Sequence, residues 1–320
     1  MKTLRKFKHV NAKTIAEVVA LLQQGNAVIN AGGTDLLGTL RFEILPSYPE
    51  VLINIKTIPG LEYIREENGW LCIGALTRLH DIAADARIKE RYTALAQAAG
   101  KVGSPHIREM GTIAGNLCQL TRCWYFRKED NRFFCLRKGG KTCFAMAGDN
   151  RYHSIFGAVK ACLAVNPSDT APALVALDAR IKTTKRLIEA EKFWDVTVPG
   201  STVLEPDEIV IEVRIPVPGA GAKSGFTKFA LRKSIDFPIV NCAAFVGAGK
   251  ARICLNAVYN KPYRAYKAEE VIAGRNIDAG VADAAGAAAV ADARSLPGGK
   301  NKWKIPIAKA MVKRAILACA

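Results

Sequence analysis

The sequence has no apolar run near the roughly 18 residues that suggest a membrane-spanning helix, and no secretory leader is visible at its start. That start, MKTLRKFKHVNAKTIAEVVALLQQ, is basic, but Ile15, Val18, Val19, Leu21 and Leu22 are interrupted by Glu17 in the manner of an amphipathic helix. A soluble, cytoplasmic protein is expected. There is no HExxH pair and no Ser/His/Asp arrangement, which leaves zinc-peptidase and acyl-enzyme chemistry without a carrier. GxGxxG is missing too, so the Rossmann dinucleotide fingerprint is not met. No internal repeat occurs. Acidic residues are scarce, 29 Asp and Glu against 46 Lys and Arg, for a formal charge of +17. The cations run from Lys2 to Arg314 without forming a stripe. That scatter weakens a nucleic-acid reading. The same field suits docking of an acidic protein or a polyanionic ligand such as a coenzyme A ester.

With 320 residues, half of them apolar, the chain can bury a substantial core and divide into two or three domains. A helix is expected over 12–24, a turn at Gly25 and Asn26, and a strand over 27–30 that ends in AGGTDLL. VLINIKTI, residues 51–58, has strand composition. WLCIGALTRLHDIAADARI reads as a strand entering a helix near Thr77, with helix continuing to a stop at Gly103, Ser104 and Pro105. GTIAGNLC reads as strand or loop, and APALVALDARIKT as a helix leading to a strand. DEIVIEVRIP, residues 207–216, alternates like a half-buried strand. The Gly- and Pro-containing segment 217–225 marks the domain boundary, followed by two or three strands and then Ala-rich helices from Ala265.

Nine cysteines is high for a reducing compartment, where clustered thiols more often bind metal than pair. Cys72, Cys242, Cys254 and Cys319 stand alone in apolar surroundings and read as small buried hydrophobes. Cys118, Cys123, Cys135, Cys143 and Cys162 share one stretch, which includes CWYFRKEDNRFFCLRKGGKTC. No CxxC pair occurs among them, which disfavours structural zinc. His153 could complete a Cys3His site, or fix the loop by hydrogen bonds.

Three short motifs could grip a ligand. In AGGTDLL two successive glycines allow backbone N–H groups to close around a diphosphate, although taken alone an ordinary strand-to-helix turn accounts for them better. GTIAGN, residues 111–116, offers a second glycine loop with the Asn116 amide. In NPSDTAP, Ser168 or Asp169 caps a helix, or Asp169 accepts a hydrogen bond from a ligand hydroxyl.

Taken together, AGGTD, TIAGN and PSD resemble the FAD-binding subunit of the molybdenum hydroxylases, the family of xanthine dehydrogenase, carbon monoxide dehydrogenase and 4-hydroxybenzoyl-CoA reductase. The resemblance covers essentially the whole chain. It implies an α+β fold: a two-subdomain FAD-binding domain of the vanillyl-alcohol-oxidase (PCMH) type over 1–220, and a smaller α/β C-terminal domain of the CO dehydrogenase flavoprotein type over 221–320. It implies FAD contacts at Ile29, Asn30, Ala31, Gly32, Gly33, Thr34, Asp35 and Leu36, at Thr112, Gly115 and Asn116, at Asp169 on the flavin side, and at Lys228.

The chain departs from the family in the segment 119–163, which separates the second glycine loop from the SD element and carries the cysteines. Such an insertion is similar to that of the 4-hydroxybenzoyl-CoA reductase medium subunit and of some bacterial aldehyde oxidoreductases, where it binds a 4Fe-4S cluster. The resemblance implies Cys123, Cys135, Cys143 and Cys162 as ligands, spaced C-x11-C-x7-C-x18-C. Cys118 is then a packing residue and the reserve ligand. Trp124, Tyr125, Phe126, Arg127, Phe133, Phe134, Arg137 and Lys138 would shield the cluster and offset its negative charge, or simply fold the loop.

The implied partners are a small 2Fe-2S subunit and a large molybdenum-cofactor subunit, often as a dimer of heterotrimers, with ferredoxin as external carrier. The expected activity is electron transfer in an oxidoreductase whose substrate chemistry takes place on another subunit. A 4-hydroxybenzoyl-CoA reductase-like enzyme comes first. Aldehyde, xanthine or N-heterocycle oxidation comes second, and a non-catalytic iron-sulfur scaffold or sensor is the reading from another class.

Overall fold

A computed structural model describes residues 3–320 apart from Ala248. Strands β1 (Lys8–Asn11), β2 (Ala27–Asn30) and β3 (Val51–Asn54) form a parallel sheet in the order β1-β3-β2. Parallel neighbours require crossovers, and the helix Ile15–Gln23 lies between β1 and β2 in the chain. Thr14 starts it, its hydroxyl accepting from the Glu17 N–H, so the helix begins later than its apolar pattern suggests. Val18 and Leu22 pack with Ile53 and Ile55 beneath it.

Strands β4 (Ile64–Glu67), β5 (Trp70–Gly74), β6 (Arg180–Thr183), β7 (Leu187–Glu189) and β8 (Val210–Pro216) form an antiparallel sheet in the order β4-β5-β8-β6-β7. β8 is expected to be half-buried, but it lies at the centre of the sheet. Its polar alternate Glu212 is 3% exposed, accepting from the Tyr63 hydroxyl and Arg214 Nε, both at 2.5 Å.

The helix expected from Thr77 to Gly103 is three helices: Leu79–Ala84, Ala86–Arg91 and Thr93–Gly100. Asp85 makes the first break: it leaves helical geometry at φ −58°, ψ 126° and accepts from the Arg87 and Ile88 N–H groups. TIAGNLC is a helix rather than strand or loop, Ile113–Cys118, with the Thr112 hydroxyl accepting from the Gly115 N–H.

Strands β9 (Lys223–Phe229), β10 (Val240–Gly247), β11 (Lys250–Asn256) and β12 (Tyr263–Arg264) form a sheet in the order β12-β11-β10-β9. β9 thus starts inside the segment expected as a linker. Both faces of this sheet are covered. Val240, Cys242 and Ala244 pack with the helices Tyr266–Ile272, Ala279–Ala289 and Lys304–Leu317, while Phe226, Ala243 and Cys254 join the large core of the preceding domain. Ala308, Met311, Val312, Ala315 and Ile316 form the buried stripe of the last helix. Each large side chain there stabilises the docking by about 1.5–3 kcal/mol.

The segment 119–163 is nearly free of regular structure; among its described residues the one helical turn is 3-10, Leu136–Lys138. Three small apolar clusters anchor it: Ile44 with Phe126 and Cys135; Leu296 with Ala145 and Leu163; and Val196 with Cys162 and Ala164. Among the described residues no helix is long and apolar enough to cross a membrane.

Candidate cofactor sites

The turn after β2 meets the loop before the Ile113–Cys118 helix backbone to backbone. A Cβ on Gly32 would stand 2.0 Å from the Met110 carbonyl oxygen, and Gly33 has φ +71°, so neither position takes an ordinary side chain. The glycines are therefore required by close approach and by a left-handed turn. The helix that follows, Leu36–Arg41, borders the same region with Leu36, Gly38, Thr39 and Leu40.

Asn116 is 8% exposed, and its side-chain oxygen accepts from Ser168 Oγ at 2.6 Å and Thr170 Oγ1 at 2.7 Å. With that oxygen satisfied twice, the amide N–H2 is the edge left for the adjoining cavity. Ser168 Oγ also accepts from the Ala171 N–H. Ser168 is thus the residue that caps the Thr170–Ala176 helix, and Asp169 makes no such cap. Asp169 instead accepts from Lys228 Nζ at 2.7 Å and Asn241 Nδ2 at 2.8 Å. Burial raises the Asp169 pKa, an effect that Lys228 partly offsets. Asn256 Nδ2 donates to the Ser168 carbonyl at 2.7 Å, so β9, β10 and β11 all hold this loop.

The two glycine loops, Asn116 and Asp169 border one cavity of about 1070 Å³, a volume that accommodates a dinucleotide cofactor. Ile29, Ala31, Gly32, Gly33, Thr34, Asp35, Leu36, Thr112, Gly115, Asn116 and Asp169 line it. Two residues of the expected set are not among those lining this cavity. Asn30 is outside the lining, its Oδ1 buried without a partner, and Lys228 spends its ammonium on Asp169 and the Lys101 carbonyl. Lys228 therefore stands behind Asp169 rather than in the cavity.

Arg122 has no role in the sequence reading, and Arg127, expected to shield the cluster, lines the large cavity instead of the cysteine one. Arg122 and Arg127, from the start of the insertion, reach Asp35 at 2.5 and 2.8 Å, and the Leu120 N–H donates to the same carboxylate at 2.9 Å. Burial alone would raise the Asp35 pKa, but the two guanidinium groups outweigh it and hold the carboxyl below its ordinary range. Burial and the nearby Arg127 pull Arg122 down to about 10, still charged at neutral pH. Arg122 also lies over the Phe237 ring at 4.5 Å. Phe237 and Ile235, the latter at φ +68°, bring the loop after β9 to the cavity. No local motif announces these contacts, since each joins residues far apart in the chain.

A second, small cavity of about 20 Å³ lies within the insertion, and Cys123, Cys135, Cys143 and Cys162 all line it. Among the described residues, no three His, Cys, Asp or Glu side chains converge tightly enough to hold a single metal ion. The four cysteines thus share the lining of one small space. Burial, with the other thiols' charges in addition, pushes Cys123 up to about 12 and also raises Cys135. Such thiols stay protonated and inert unless a metal displaces the proton.

Arg137 also lines this cavity, and its Nε lies 3.3 Å from Cys162 Sγ. Tyr125 and Phe144 close other sides, with Phe133 edge-on to both rings. Trp124 and Phe134 are exposed and do not wall it. His153 is buried, with Nε2 3.3 Å from Cys123 Sγ; burial and Lys304 lower its pKa to about 4. Cys118 lines the large cavity instead of the small one. Cys242, Cys254 and Cys319 are buried in apolar surroundings as expected; Cys72 is buried too, but it lies between Arg65 and Arg214 on the neighbouring strands, with Glu212 nearby.

The stretch 119–123 divides the two cavities. Gln119, Leu120 and Arg122 border the large one, while Thr121 and Cys123 border the cysteine cavity. An extended segment with side chains alternating between faces produces this arrangement.

Comparison with known proteins adds the following. A family model described as the FAD binding domain in molybdopterin dehydrogenase matches residues 5–218, and one for the CO dehydrogenase flavoprotein C-terminal domain matches residues 226–319. The FAD-binding subunit of the Escherichia coli aldehyde oxidoreductase is 34% identical over 96% of both chains. The FAD subunit of Eubacterium barkeri nicotinate dehydrogenase is 30% identical, over 85% of this chain and 81% of that one. Among solved structures, carbon monoxide dehydrogenase of Hydrogenophaga pseudoflava superposes with a TM-score of 0.76 at 26% identity, covering 99% and 98% of the respective chains.

Proposed function

The chain belongs to the FAD-binding medium subunits of the molybdenum hydroxylase and carbon monoxide dehydrogenase family, and on that premise we propose that it carries a 4Fe-4S cluster as well as FAD. The observation that carries this reading is the convergence of Cys123, Cys135, Cys143 and Cys162 on one cavity that shares a wall with the large one. A single zinc, about 2.3 Å from each sulfur, needs its ligands gathered at a point. Thiols that share the lining of one space suit a polynuclear core, with one thiolate for each iron. No carboxylate lines the cavity, and Arg137 does, as suits an anionic guest.

The residues divide the work. In this reading the AGG turn and the Leu36–Arg41 helix receive the FAD diphosphate, the Asn116 amide and Asp169 orient its other polar groups, and Lys228 and Asn241 fix the Asp169 carboxylate. Arg122 and Arg127 hold the first glycine loop against the insertion through Asp35. When bound, FAD supplies the exchange between paired and single electrons, and the cluster a one-electron relay. The segment 119–123 keeps the two sites adjacent, and the aromatic walls limit water at the cluster.

Aldehyde oxidation is the substrate chemistry supported best, by the likeness to the E. coli aldehyde oxidoreductase subunit over nearly the whole of both chains. Reduction of 4-hydroxybenzoyl-CoA is the second reading and rests on the insertion alone. The proposed domains are 1–220, for FAD and the cluster, and 221–320. The proposed partners in the cytoplasm are a 2Fe-2S small subunit and a molybdenum-cofactor large subunit, as a dimer of heterotrimers. The charge of +17 favours an acidic carrier such as ferredoxin.

Iron, zinc and flavin analysis of the anaerobically purified complex tests the core of this reading. About four irons and one FAD per medium chain, beyond the iron of the partner subunit, are expected, with the four irons lost on changing any one of the four cysteines to serine. Zinc in place of iron, or iron indifferent to all four changes, overturns it. Turnover of aldehydes against 4-hydroxybenzoyl-CoA decides between the two substrates.

A further inference from the structure

Arg137 lines the cysteine cavity and its neighbour Lys138 is buried behind Phe126, which also lines it; among the described residues neither forms a salt bridge to a carboxylate. Arg137 is 2% exposed; Nη1 donates to the Gly200 carbonyl at 2.7 Å and to Ser201 Oγ at 2.8 Å, which aims Nε at Cys162 Sγ. Lys138 is also 2% exposed, and its ammonium has no hydrogen-bond partner. Nζ sits 5.4 Å from the ring centroid of Phe126, which lines the cavity. Burial is what most disfavours the ammonium; negative charge on Cys135 and Cys123 would favour it, whereas Arg127 opposes it.

The backbone explains this placement. The 3-10 turn Leu136–Lys138 follows Cys135, Gly139 ends it at φ +91°, and a Cβ on Gly140 would stand 2.0 Å from the Phe134 carbonyl oxygen. The turn thus folds tightly on itself and carries Lys138 inward with Cys135. The Phe126 face gives the ammonium a cation–π contact but neither a hydrogen bond nor an ion pair, and a buried ammonium so placed is disfavoured, so its position points to an anion in the adjoining cavity.

Resting on the proposed cluster, we propose that Lys138 is the residue that sets its reduction potential, compensating the charge that accumulates on reduction. Reduction brings in one electron from the flavin or an external reductant, makes and breaks no bond, and adds one unit of negative charge to the site. A fixed positive charge on the turn that carries Cys135 stabilises that state more than the oxidised one. Arg137, bonded to Cys162 Sγ, acts in the same direction.

The test is an EPR-monitored redox titration of the intact complex in wild type, Lys138→Met and Lys138→Arg, with iron and acid-labile sulfide measured in parallel. With the cluster retained, Lys138→Met lowers the midpoint so that the reduced-to-oxidised ratio at the wild-type midpoint falls about tenfold, about 59 mV for one electron; Lys138→Arg restores it. A full iron content with an unmoved midpoint in Lys138→Met overturns this inference and leaves the cluster standing. Absence of the four irons from wild type overturns the cluster reading itself, and this inference with it. Where Lys138→Met sheds iron, Lys138→Arg decides: iron kept at the wild-type potential supports the charge role, and iron lost again assigns Lys138 to folding of the turn and overturns it.

Discussion

Asp35 shows how one carboxylate is taken from the ligand and given to the scaffold. Its position at the end of AGGTD suggests a direct ligand contact, yet Arg122, Arg127 and the Leu120 N–H occupy its oxygens. The sequence marks the turn, because glycine at close-approach positions has few substitutes; it does not mark the arginines, whose partner lies far back in the chain. Asp35→Asn is therefore expected to destabilise the junction by about 2 kcal/mol, by stranding two partly buried guanidinium groups. The sign of the pH effect follows from the depressed folded-state pKa. The contribution is fully present above the unfolded value of about 3.9 and is lost as pH falls through the lower folded value. Flavin fluorescence on acidification checks this: wild type releases FAD more steeply with acid than Asp35→Asn, and equal profiles would rule the coupling out.

At the scale of the element, local signals were readable where one interaction dominates and misleading where tertiary contacts decide. β2 was legible from composition, and the Ala-rich C-terminal helices from their residue content. The helix Ile113–Cys118 was not, because its glycine has low helix propensity; the Thr112 cap was the signal that could have revealed it. In the insertion, the run of cations and aromatics identified the residues near the thiols, but only the folded turns separate buried Phe126, Arg137 and Lys138 from exposed Trp124 and Phe134. The double glycine after Lys138 is the local device that makes this separation. Gly140→Ala drives a methyl group into the Phe134 carbonyl, so the turn must open and Cys135 must shift. Iron content is expected to fall several-fold while FAD content stays near wild type, since the large cavity takes no residue from this turn. Parallel loss of both cofactors would show that the turn supports the whole domain.

For the whole molecule, the C-terminal domain holds the insertion as well as the flavin loop. Lys304, in the last helix, is fully buried, and its ammonium donates to the carbonyls of Tyr152, His153 and Ala257 at 3.0, 3.1 and 2.7 Å. Asn301 Nδ2 adds a bond to the Ser154 carbonyl at 2.8 Å. One helix thus ties the segment beside Cys123 to the chain at Ala257, a junction between residues about half the chain apart that no periodicity reveals. Burial pushes the Lys304 pKa down to about 7, below the roughly 10.4 of an unfolded lysine. Between those values the unfolded chain binds a proton that the folded chain has shed, so the contribution of Lys304 to stability rises with pH across the window. Hydrogen exchange of the His153, Ser154 and Ile155 amides, all bonded in the fold, reads this locally. Lys304→Met is expected to lower their protection at pH 7, equivalent to about 1–3 kcal/mol for the abandoned carbonyls. The ratio of wild-type to variant protection then grows with pH, by up to about tenfold per unit. A ratio that stays flat from neutral to alkaline pH would mean that the ammonium remains charged throughout and that its three carbonyls, rather than its burial, set its ionisation.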